Sequence, residues 1–410
     1  MDTWAQRTEK VFLSILQQNG DKEDINRRIR YFKDEDWQRL YAFCIANRLL
    51  PAFYLRLLSL KLENIPAEFL HRLKTTYLTN FRKNIILKKE LLRILSCFKE
   101  KNILVIPLKG PILAEYLYND LSSWVSCDLD LLVQDKQYED AEGALEKNGY
   151  KPRFGKKDVF LRQFHLKYSK QLSFMRQIEN EGEGIVLIEL HRDIRGEFVY
   201  APLEHFWEGS KEVNLNGNKI MMPSKEDLLV YLSLVSMTIT EFVELRYLYA
   251  IHTLVSKFNK ELDWQKIGLS LKGSRCRASV FFALALSKDS FQTDIPADIL
   301  NKIRPNIIRI FLLSLWINKK NVLRRRNNGS YSWYYFFTAW HYFVSSGLYS
   351  QDIFDCIRII YRKIFLPIDE LTVCYNLPCS KGSYFLYIQR LLRPIAKLWL
   401  RKYNRKQNFN

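Results

Sequence analysis

The segment Cys127-Asp-Leu-Asp-Leu-Leu-Val133 constrains the fold of this 410-residue chain more than any other stretch. Its apolar residues predict a buried strand, in which Asp128 and Asp130 lie two positions apart. Alternate side chains of a strand share a face, so we expect the two carboxylates side by side, about 7 Å apart. At an effective dielectric constant of about 20, such a pair repels by roughly 2 kcal/mol. A bound cation removes that repulsion, and Mg²⁺ (or Mn²⁺) prefers carboxylate oxygens while leaving positions for substrate phosphates.

A turn suited to phosphate lies upstream of this strand. Residues 103–108 have the pattern of another strand, and Lys109-Gly110-Pro111 follows it. Gly110 allows the backbone to approach a ligand closely, and Pro111 has the backbone angle that a first helical turn requires. The N-terminus of a helix favours an anion, and the ammonium group of Lys109 adds a positive charge. The pattern therefore predicts a site for a metal-bound triphosphate, with Lys109 and Gly110 as phosphate-binding residues.

A third carboxylate follows in a later strand pattern. Residues 185–190 are apolar apart from Glu189, and His191 comes next. At the end of a neighbouring strand, Glu189 either completes the metal site or accepts a proton from an attacking hydroxyl. His191 shares its face, so we expect it to bind at the site or to orient a carboxylate there.

The Leu-Lys-Gly turn, the Asp128-Leu-Asp130 strand and the Glu189-Leu-His191 segment together resemble the nucleotidyltransferase fold of the DNA polymerase β superfamily. Within it, the chain resembles the bacterial family usually called "uncharacterised nucleotidyltransferase", most sharply over residues 100–195. The resemblance implies that Asp128, Asp130 and Glu189 are the catalytic residues and hold two divalent metals. It also implies that a nucleoside monophosphate passes from an NTP to an acceptor hydroxyl.

Two positions depart from the pattern that the resemblance implies. The family has an arginine four residues before the first aspartate, where this chain has Trp124. It also has an aspartate on the helix after a Leu-Arg-aromatic-Leu segment, where this chain has Tyr249 and Ala250. The residues that hold the metals are retained while their surroundings differ. The nature of the acceptor, whether a sugar, a small metabolite, a peptide, a protein or a nucleic acid, stays open.

Two further residues are candidates for ligand binding. His165 lies with Tyr168 in a segment, 158–169, that we predict as a strand. It either contacts phosphate or acceptor, or has a structural role. Arg246 belongs to the Leu-Arg-aromatic-Leu segment and either reaches a triphosphate or lies on a helix surface.

The composition favours a large, helix-rich protein with an excess of positive charge. Lysine and arginine number 63 against 44 acidic residues, a net charge of +19. Basic clusters lie at 319–326 and 390–406, and such surfaces attract nucleotides, polyanions or an anionic membrane surface. The seven cysteines form no Cys-x-x-Cys pair, so we expect no disulfide-linked partner. The N-terminus lacks an apolar signal core, so we expect a cytoplasmic protein, with peripheral contact at a membrane left open.

The pattern along the chain predicts an α+β fold. Residues 1–100 have helical periodicity, 101–223 have the mixed strand and helix pattern of a nucleotidyltransferase core, and 224–410 return to helices. Within the core we predict further strands at 171–178 and a hairpin over 211–222 that turns at Asn216-Gly217. Ser224 and Asp227 have the spacing of a helix start.

The residues leave three functional interpretations. The chain is an enzyme, a degenerate family member that binds nucleotide without turnover, or a basic scaffold on a polyanion or membrane. The uncharged aromatic segment 327–351 is long enough to span a bilayer, but its tyrosines and tryptophans favour a buried or interfacial helix.

Overall fold

The computed structural model describes residues 4–17, 20–153, 159–178, 184–194, 206–239, 244–272, 274, 276–315, 317–324 and 353–365. The chain begins with five helices, as its periodicity predicts. They are α1 (Trp4–Leu16), α2 (Lys22–Ile29), α3 (Asp34–Ala46), α4 (Leu50–Leu60) and α5 (Ala67–Glu100). The 34-residue helix α5 buries residues three or four positions apart, among them Leu87, Leu91 and Ile94. This spacing makes one face apolar, and that face packs on the rest of the protein.

A mixed five-stranded sheet follows. Its strands are β1 (Val105–Pro107), β2 (Leu129–Val133), β3 (Lys151–Pro152), β4 (Gln171–Ile178) and β5 (Gly184–His191). Their order is β1-β2-β5-β4-β3. Strands β2 and β5 pair in parallel, and the other neighbours pair antiparallel. All five residues of β2 are buried, as expected for a strand inside a sheet that is covered by helices.

Short helices connect these strands. Helix α6 (Pro111–Tyr118) joins β1 to β2, and α7 (Tyr138–Lys147) lies between β2 and β3. Helix α8 (Val159–Phe164) continues as a π-helical turn (His165–Ser169) before β4. A separate hairpin consists of β6 (Lys211–Leu215) and β7 (Asn218–Met222) and turns at Asn216-Gly217, as predicted.

The C-terminal part that the structure describes is helical. It contains α9 (Lys225–Leu234) with a π-helical turn (Val235–Ile239), α10 (Leu245–Phe258), α11 (Trp264–Ser270), α12 (Arg277–Phe291), α13 (Ala297–Lys302), α14 (Ile307–Ser314), α15 (Lys319–Arg324) and α16 (Ile353–Ile364). Ser224 caps α9 by accepting a hydrogen bond from the amide of Asp227, as its spacing predicts. The predicted α+β class is confirmed.

The strand predicted over 158–169 is wrong. The described part of this range is α8 and its π-helical turn, so His165 lies in a helical segment. Short apolar runs do not distinguish a strand from a helix, and tertiary contacts decide between them. Here Arg162 of α8 pairs with Glu142 of α7 through both carboxylate oxygens, which ties the helix to its neighbour.

The structure bears on the predicted membrane contact only in its described part. Among the described residues, no helix has the length and apolar character needed to cross a membrane. The aromatic segment 327–351 and the basic run 390–406 lie outside the described residues.

A buried acidic residue joins the long N-terminal helix to the sheet. Glu90 of α5 accepts hydrogen bonds from Arg93 (2.7 and 3.0 Å), from Arg176 of β4 (2.8 Å) and from the hydroxyl of Tyr150 (2.7 Å). Burial alone would raise the pKa of Glu90, but the hydrogen bonds from Arg93 and Tyr150 outweigh it and lower the pKa below its ordinary value.

The Glu90→Gln variant is therefore expected to lower the free energy of unfolding by about 2 kcal/mol at neutral pH. This is less than the ~3–5 kcal/mol of a fully buried pair, because both arginines are about a third exposed. Since the folded pKa is depressed, the difference from wild type is present above the unfolded pKa and shrinks as the pH falls below it. Urea denaturation at several pH values measures this, with the exposed Glu100→Gln as control. An equal loss of stability in Glu90→Gln and Glu100→Gln would contradict the stabilising role assigned to the charge of Glu90.

Candidate active site

The register between β2 and β5 brings two acidic residues together. Leu129 pairs with Ile188 and Asp130 pairs with Glu189 across the parallel ladder. Leu129 and Ile188 are fully buried in the core. Because side chains alternate along each strand, Asp130 and Glu189 point to the opposite face from this core pair. His191 lies two residues beyond Glu189 and shares that face.

The carboxylate of Asp130 contacts two side-chain nitrogen atoms at this face. Its Oδ1 atom accepts a hydrogen bond from Nζ of Lys109 at 3.1 Å and lies 3.1 Å from Nε2 of His191. Nε2 of His191 is also 3.8 Å from Oε2 of Glu189. Burial would raise the pKa of Asp130, but the positive charge of Lys109 and the hydrogen bond with His191 hold it well below its ordinary value. Asp130 is therefore a carboxylate near neutral pH.

Three side chains on this face form a group that fits a divalent cation. One ligand atom each of Asp130, Glu189 and His191 lies within 4.8 Å of the others, with Asp130 and His191 buried and Glu189 half-buried. Carboxylate oxygens suit Mg²⁺ or Mn²⁺, and an imidazole nitrogen favours Mn²⁺ over Mg²⁺. Burial and the charge of Asp130 raise the pKa of Glu189. A bound cation would relieve the repulsion between the carboxylates of Asp130 and Glu189.

Asp128 lies beside this group but outside it. It precedes β2 by one residue instead of lying within the strand. Burial and the charge of Asp130 raise the pKa of Asp128, while the positive charge of Lys109 and then that of Arg246 oppose the shift. The metal set of Asp128, Asp130 and Glu189 stays a prediction: Asp130 and Glu189 belong, with His191, to the group of possible metal ligands among the described residues, and Asp128 does not.

The turn after β1 presents Lys109 and Gly110 to the carboxylates. The amide of Leu108 donates to the carbonyl of Asp130 at 2.9 Å, which fixes the turn against β2. Gly110 has φ +84° and ψ −149°, a conformation that other residues adopt only under strain. A Cβ atom there would lie 3.6 Å from the carbonyl oxygen of Asp128. Pro111 then begins α6, so the first turn of this helix follows directly on the residue next to Asp128.

Arg246 and Trp124 meet at the edge of the site. The guanidinium of Arg246 lies 5.1 Å from the ring centre of Trp124 and 4.7 Å from that of Tyr247. Its Nε is 2.6 Å from Oε2 of Glu244. The chain has no arginine at position 124, and instead Arg246 lies over the tryptophan there and acts on Asp128 by its charge.

The long helix α5 fixes the loop that leads to Asp128. The buried side-chain amide of Asn84 donates to the carbonyls of Leu121 (2.6 Å) and Trp124 (2.7 Å). Asn80, one helical turn earlier, donates to the carbonyl of Ser122 at 2.6 Å. These bonds satisfy backbone groups in a buried loop. This role was not predicted, although two asparagines one helical turn apart on an apolar helix face, Asn80 and Asn84, are a sequence signal for it.

His165 is not brought into the carboxylate group. It lies in the π-helical turn after α8, edge to face with Phe164 at 5.4 Å. Burial and the charge of Arg153 lower its pKa. Its proposed contact with phosphate or acceptor stays a prediction.

Two buried tyrosines belong to the site and were not anticipated. Burial alone would lower the pKa of Lys109, but the oxygen of Tyr231 and the carboxylate of Asp130 hold it well above its ordinary value, with a smaller effect of Tyr247. Tyr231 lies on α9 and Tyr247 on α10, so the helices that follow the sheet complete the surroundings of Lys109. Both lie in apolar helical runs, where a tyrosine is indistinguishable in sequence from an ordinary core residue.

A family model described as "Uncharacterised nucleotidyltransferase" matches residues 33–292, which is more than half of the chain. The match contains β1, β2, β5 and helices α9 and α10, and hence every residue of the site described above. No curated protein sequence and no solved structure matches the chain. The resemblance seen in the sequence is confirmed: the chain belongs to the uncharacterised nucleotidyltransferase family.

Proposed function

We propose that this protein is a metal-dependent nucleotidyltransferase that moves a nucleoside monophosphate from an NTP to an acceptor hydroxyl. The observation that carries the proposal is the pairing of β2 with β5, which sets Asp130 beside Glu189 with His191 on the same face. Residues 101–223 would form the catalytic core, with the flanking helical regions packed on it.

The proposed chemistry forms one bond and breaks another at the α-phosphorus. The acceptor hydroxyl oxygen bonds to that phosphorus, and the bond from phosphorus to the oxygen that bridges to the β-phosphate breaks. The electron pair leaves with pyrophosphate, and the hydroxyl proton passes to a carboxylate oxygen of Glu189. Asp128, Asp130 and Glu189, with His191 as a further ligand, would hold two divalent cations, which neutralise the charge that develops on the phosphates.

The turn at Lys109-Gly110 is the proposed cradle for the triphosphate. Gly110 keeps side-chain atoms away from the backbone next to Asp128, and the N-terminus of α6 offers backbone amides and a partial positive charge. Arg246, which already acts on Asp128, lies at the edge of the same space. The ammonium of Lys109 pairs with Asp130 in the metal-free site and adds positive charge next to the proposed position of the phosphates.

The test uses purified protein with each of four α-phosphate-labelled NTPs, Mg²⁺ or Mn²⁺, and a lysate of the protein's own host. We expect label from one NTP to pass to an acceptor, to require the metal and to fall about a thousandfold in Asp128→Ala. The mobility of the labelled product identifies the class of acceptor. Equal transfer by Asp128→Ala would contradict the proposal, and metal-dependent retention of an NTP without transfer would favour a binding protein without turnover.

A further inference from the structure

A cleft lies next to the candidate active site, at the end of β2 and β5. Its volume is about 450 Å³, and its wall begins at Leu132, which pairs with His191 across the parallel ladder. Leu132 is two residues beyond Asp130 on the same strand, so the two side chains share a face and lie roughly 7 Å apart. The cleft therefore starts one side chain away from the carboxylates.

An aromatic contact also joins the cleft to the site. Phe206 lines the cleft and packs edge to face on Tyr231, with ring centres 6.3 Å apart. Tyr231 is the tyrosine whose oxygen acts on Lys109. Burial raises the pKa of Tyr231, the charge of Lys109 opposes this, and Asp130 and Glu189 add smaller upward effects. Because Leu132 lines the cleft and shares a face with Asp130, the cleft reaches the face of the sheet that carries the carboxylates.

The cleft and the phosphate turn lie on opposite sides of the carboxylates. Strand β1 runs antiparallel to β2, with Val105 beside Val133 and Pro107 beside Leu131, so Lys109 and Gly110 follow at the Asp128 end. The cleft lies at the other end of β2, beyond Leu132. In phosphoryl transfer the attacking and leaving oxygens lie roughly in line across the phosphorus. With pyrophosphate at the turn, an attacking hydroxyl approaches from the side of the cleft.

The lining of the cleft favours a small anionic ligand. Three cationic side chains, Lys136, Lys170 and Arg192, face two acidic ones, and Trp207 offers a flat apolar surface. Arg192 pairs with one of the acids, Asp135, at 2.6 Å, so it is partly neutralised. A volume of about 450 Å³ suits a small molecule and is too small for a folded partner or a nucleic-acid duplex.

We propose that this cleft is the acceptor site, and that the acceptor is a low-molecular-weight hydroxyl compound that carries a phosphate or carboxylate group. The anionic group binds at Lys170 and Lys136, the body of the molecule lies against Trp207, and the hydroxyl reaches past Leu132 towards Glu189. This assignment rests on the proposed function for its reaction, and on the lining of the cleft for its ligand.

A first experiment separates acceptor binding from NTP binding. In the label-transfer assay, we expect Lys170→Glu and Trp207→Ala each to lower transfer at least about tenfold, which corresponds to the loss of one contact worth ~1.4 kcal/mol. Metal-dependent retention of the NTP should be unchanged in both variants. Lys170→Glu leaves the bond from the amide of Arg192 to the carbonyl of Lys170 in place, because that bond is made by the backbone. Lys170→Arg should restore transfer, and Lys151→Glu, an exposed lysine on β3, is the matched control. Wild-type transfer by both cleft variants would overturn the assignment.

A second experiment does not depend on turnover. Glycerol 3-phosphate, glycerate and uncharged glycerol are titrated calorimetrically into the full-length protein in EDTA. We expect one or both anions to bind, glycerol not to bind, and Lys170→Glu to weaken anion binding at least about tenfold. The anion that binds more tightly distinguishes phosphate from carboxylate. If binding is lost in Lys109→Met but kept in Lys170→Glu, the anion binds at the phosphate turn and the acceptor site is overturned. The absence of binding by both anions would also overturn it.

These binding results test the acceptor site even if no NTP transfer is found. The absence of transfer would count against the proposed function alone.

Discussion

Nucleotidyl transfer is expected to fall about a thousandfold in both Asp130→Asn and Asp128→Asn, because each replacement removes a carboxylate charge that metals and phosphates require. The asparagine side chain keeps the shape of the aspartate and only the charge is lost. A steady-state rate with saturating NTP and metal measures the loss. The exposed Asp140→Asn on α7 is the matched control and should retain full activity.

The same two variants are expected to change stability in opposite directions. The folded pKa of Asp130 is depressed by Lys109 and His191, so its charge stabilises the fold above the unfolded pKa, and this contribution is lost as the pH falls through the folded pKa. Asp130→Asn leaves the ammonium of Lys109 without its carboxylate, at a cost of about 3 kcal/mol at neutral pH. The folded pKa of Asp128 is raised by burial and by Asp130, so its charged form costs stability at neutral pH.

Asp128→Asn removes that cost and should therefore unfold at a higher urea concentration than wild type at pH 7. The gain should disappear as the pH falls below the unfolded pKa, where the wild-type carboxyl is already protonated. Urea denaturation in EDTA at several pH values measures both effects. A loss of stability in Asp128→Asn equal to that in Asp130→Asn would contradict the electrostatic account of the site. Retained activity in either variant would contradict the proposed function.

Much of the fold follows from local pattern. Strand β4 begins and ends where the sequence predicts, the hairpin turns at Asn216-Gly217, and Ser224 caps α9. In these places the signal lies within a few neighbouring residues: alternation, a turn dipeptide with positive φ, and a capping side chain. The predicted strand at 158–169 failed because its apolar residues suit either element, and the contact between Arg162 and Glu142 of another helix is not visible in a local window.

The candidate site was predicted in its residues more than in its geometry. Glu189 was expected on a strand next to that of Asp130, and the structure pairs the two residues across a parallel ladder that the sequence did not predict. The position of Asp128 differs from the prediction, which placed it inside the strand, because β2 begins at Leu129, where its pairing with Ile188 of β5 begins. The backbone of Asp128 instead faces Gly110. Likewise, the hydrogen bond from Lys109 to Asp130 depends on the register between β1 and β2, which the sequence does not show.

That contact between Lys109 and Asp130 leads to the second large effect. Lys109→Met is expected to lower the free energy of unfolding by about 3 kcal/mol in EDTA, because the buried carboxylate of Asp130 then loses the ammonium group beside it and keeps its contact with His191. A cation bound at Asp130, Glu189 and His191 replaces the lost charge and no longer meets repulsion from the ammonium group. Mn²⁺ should therefore raise the stability of Lys109→Met by more than it raises that of wild type.

The double variant Lys109→Met/Asp130→Asn distinguishes this account from a simple packing defect. Removing both charges leaves no uncompensated ion, so the double variant should regain most of the stability that either single variant loses. Mn²⁺ should have little effect on it, because one carboxylate ligand is absent. Thermal or urea denaturation with and without MnCl₂ measures the stability of wild type, the two single variants and the double variant. The exposed Lys151→Met is the control. Two results would contradict this account: losses of stability that add up in the double variant, or the same Mn²⁺ response in Lys109→Met and wild type. Either result would mean that Lys109 does not compensate the charge of Asp130 in the metal-free site.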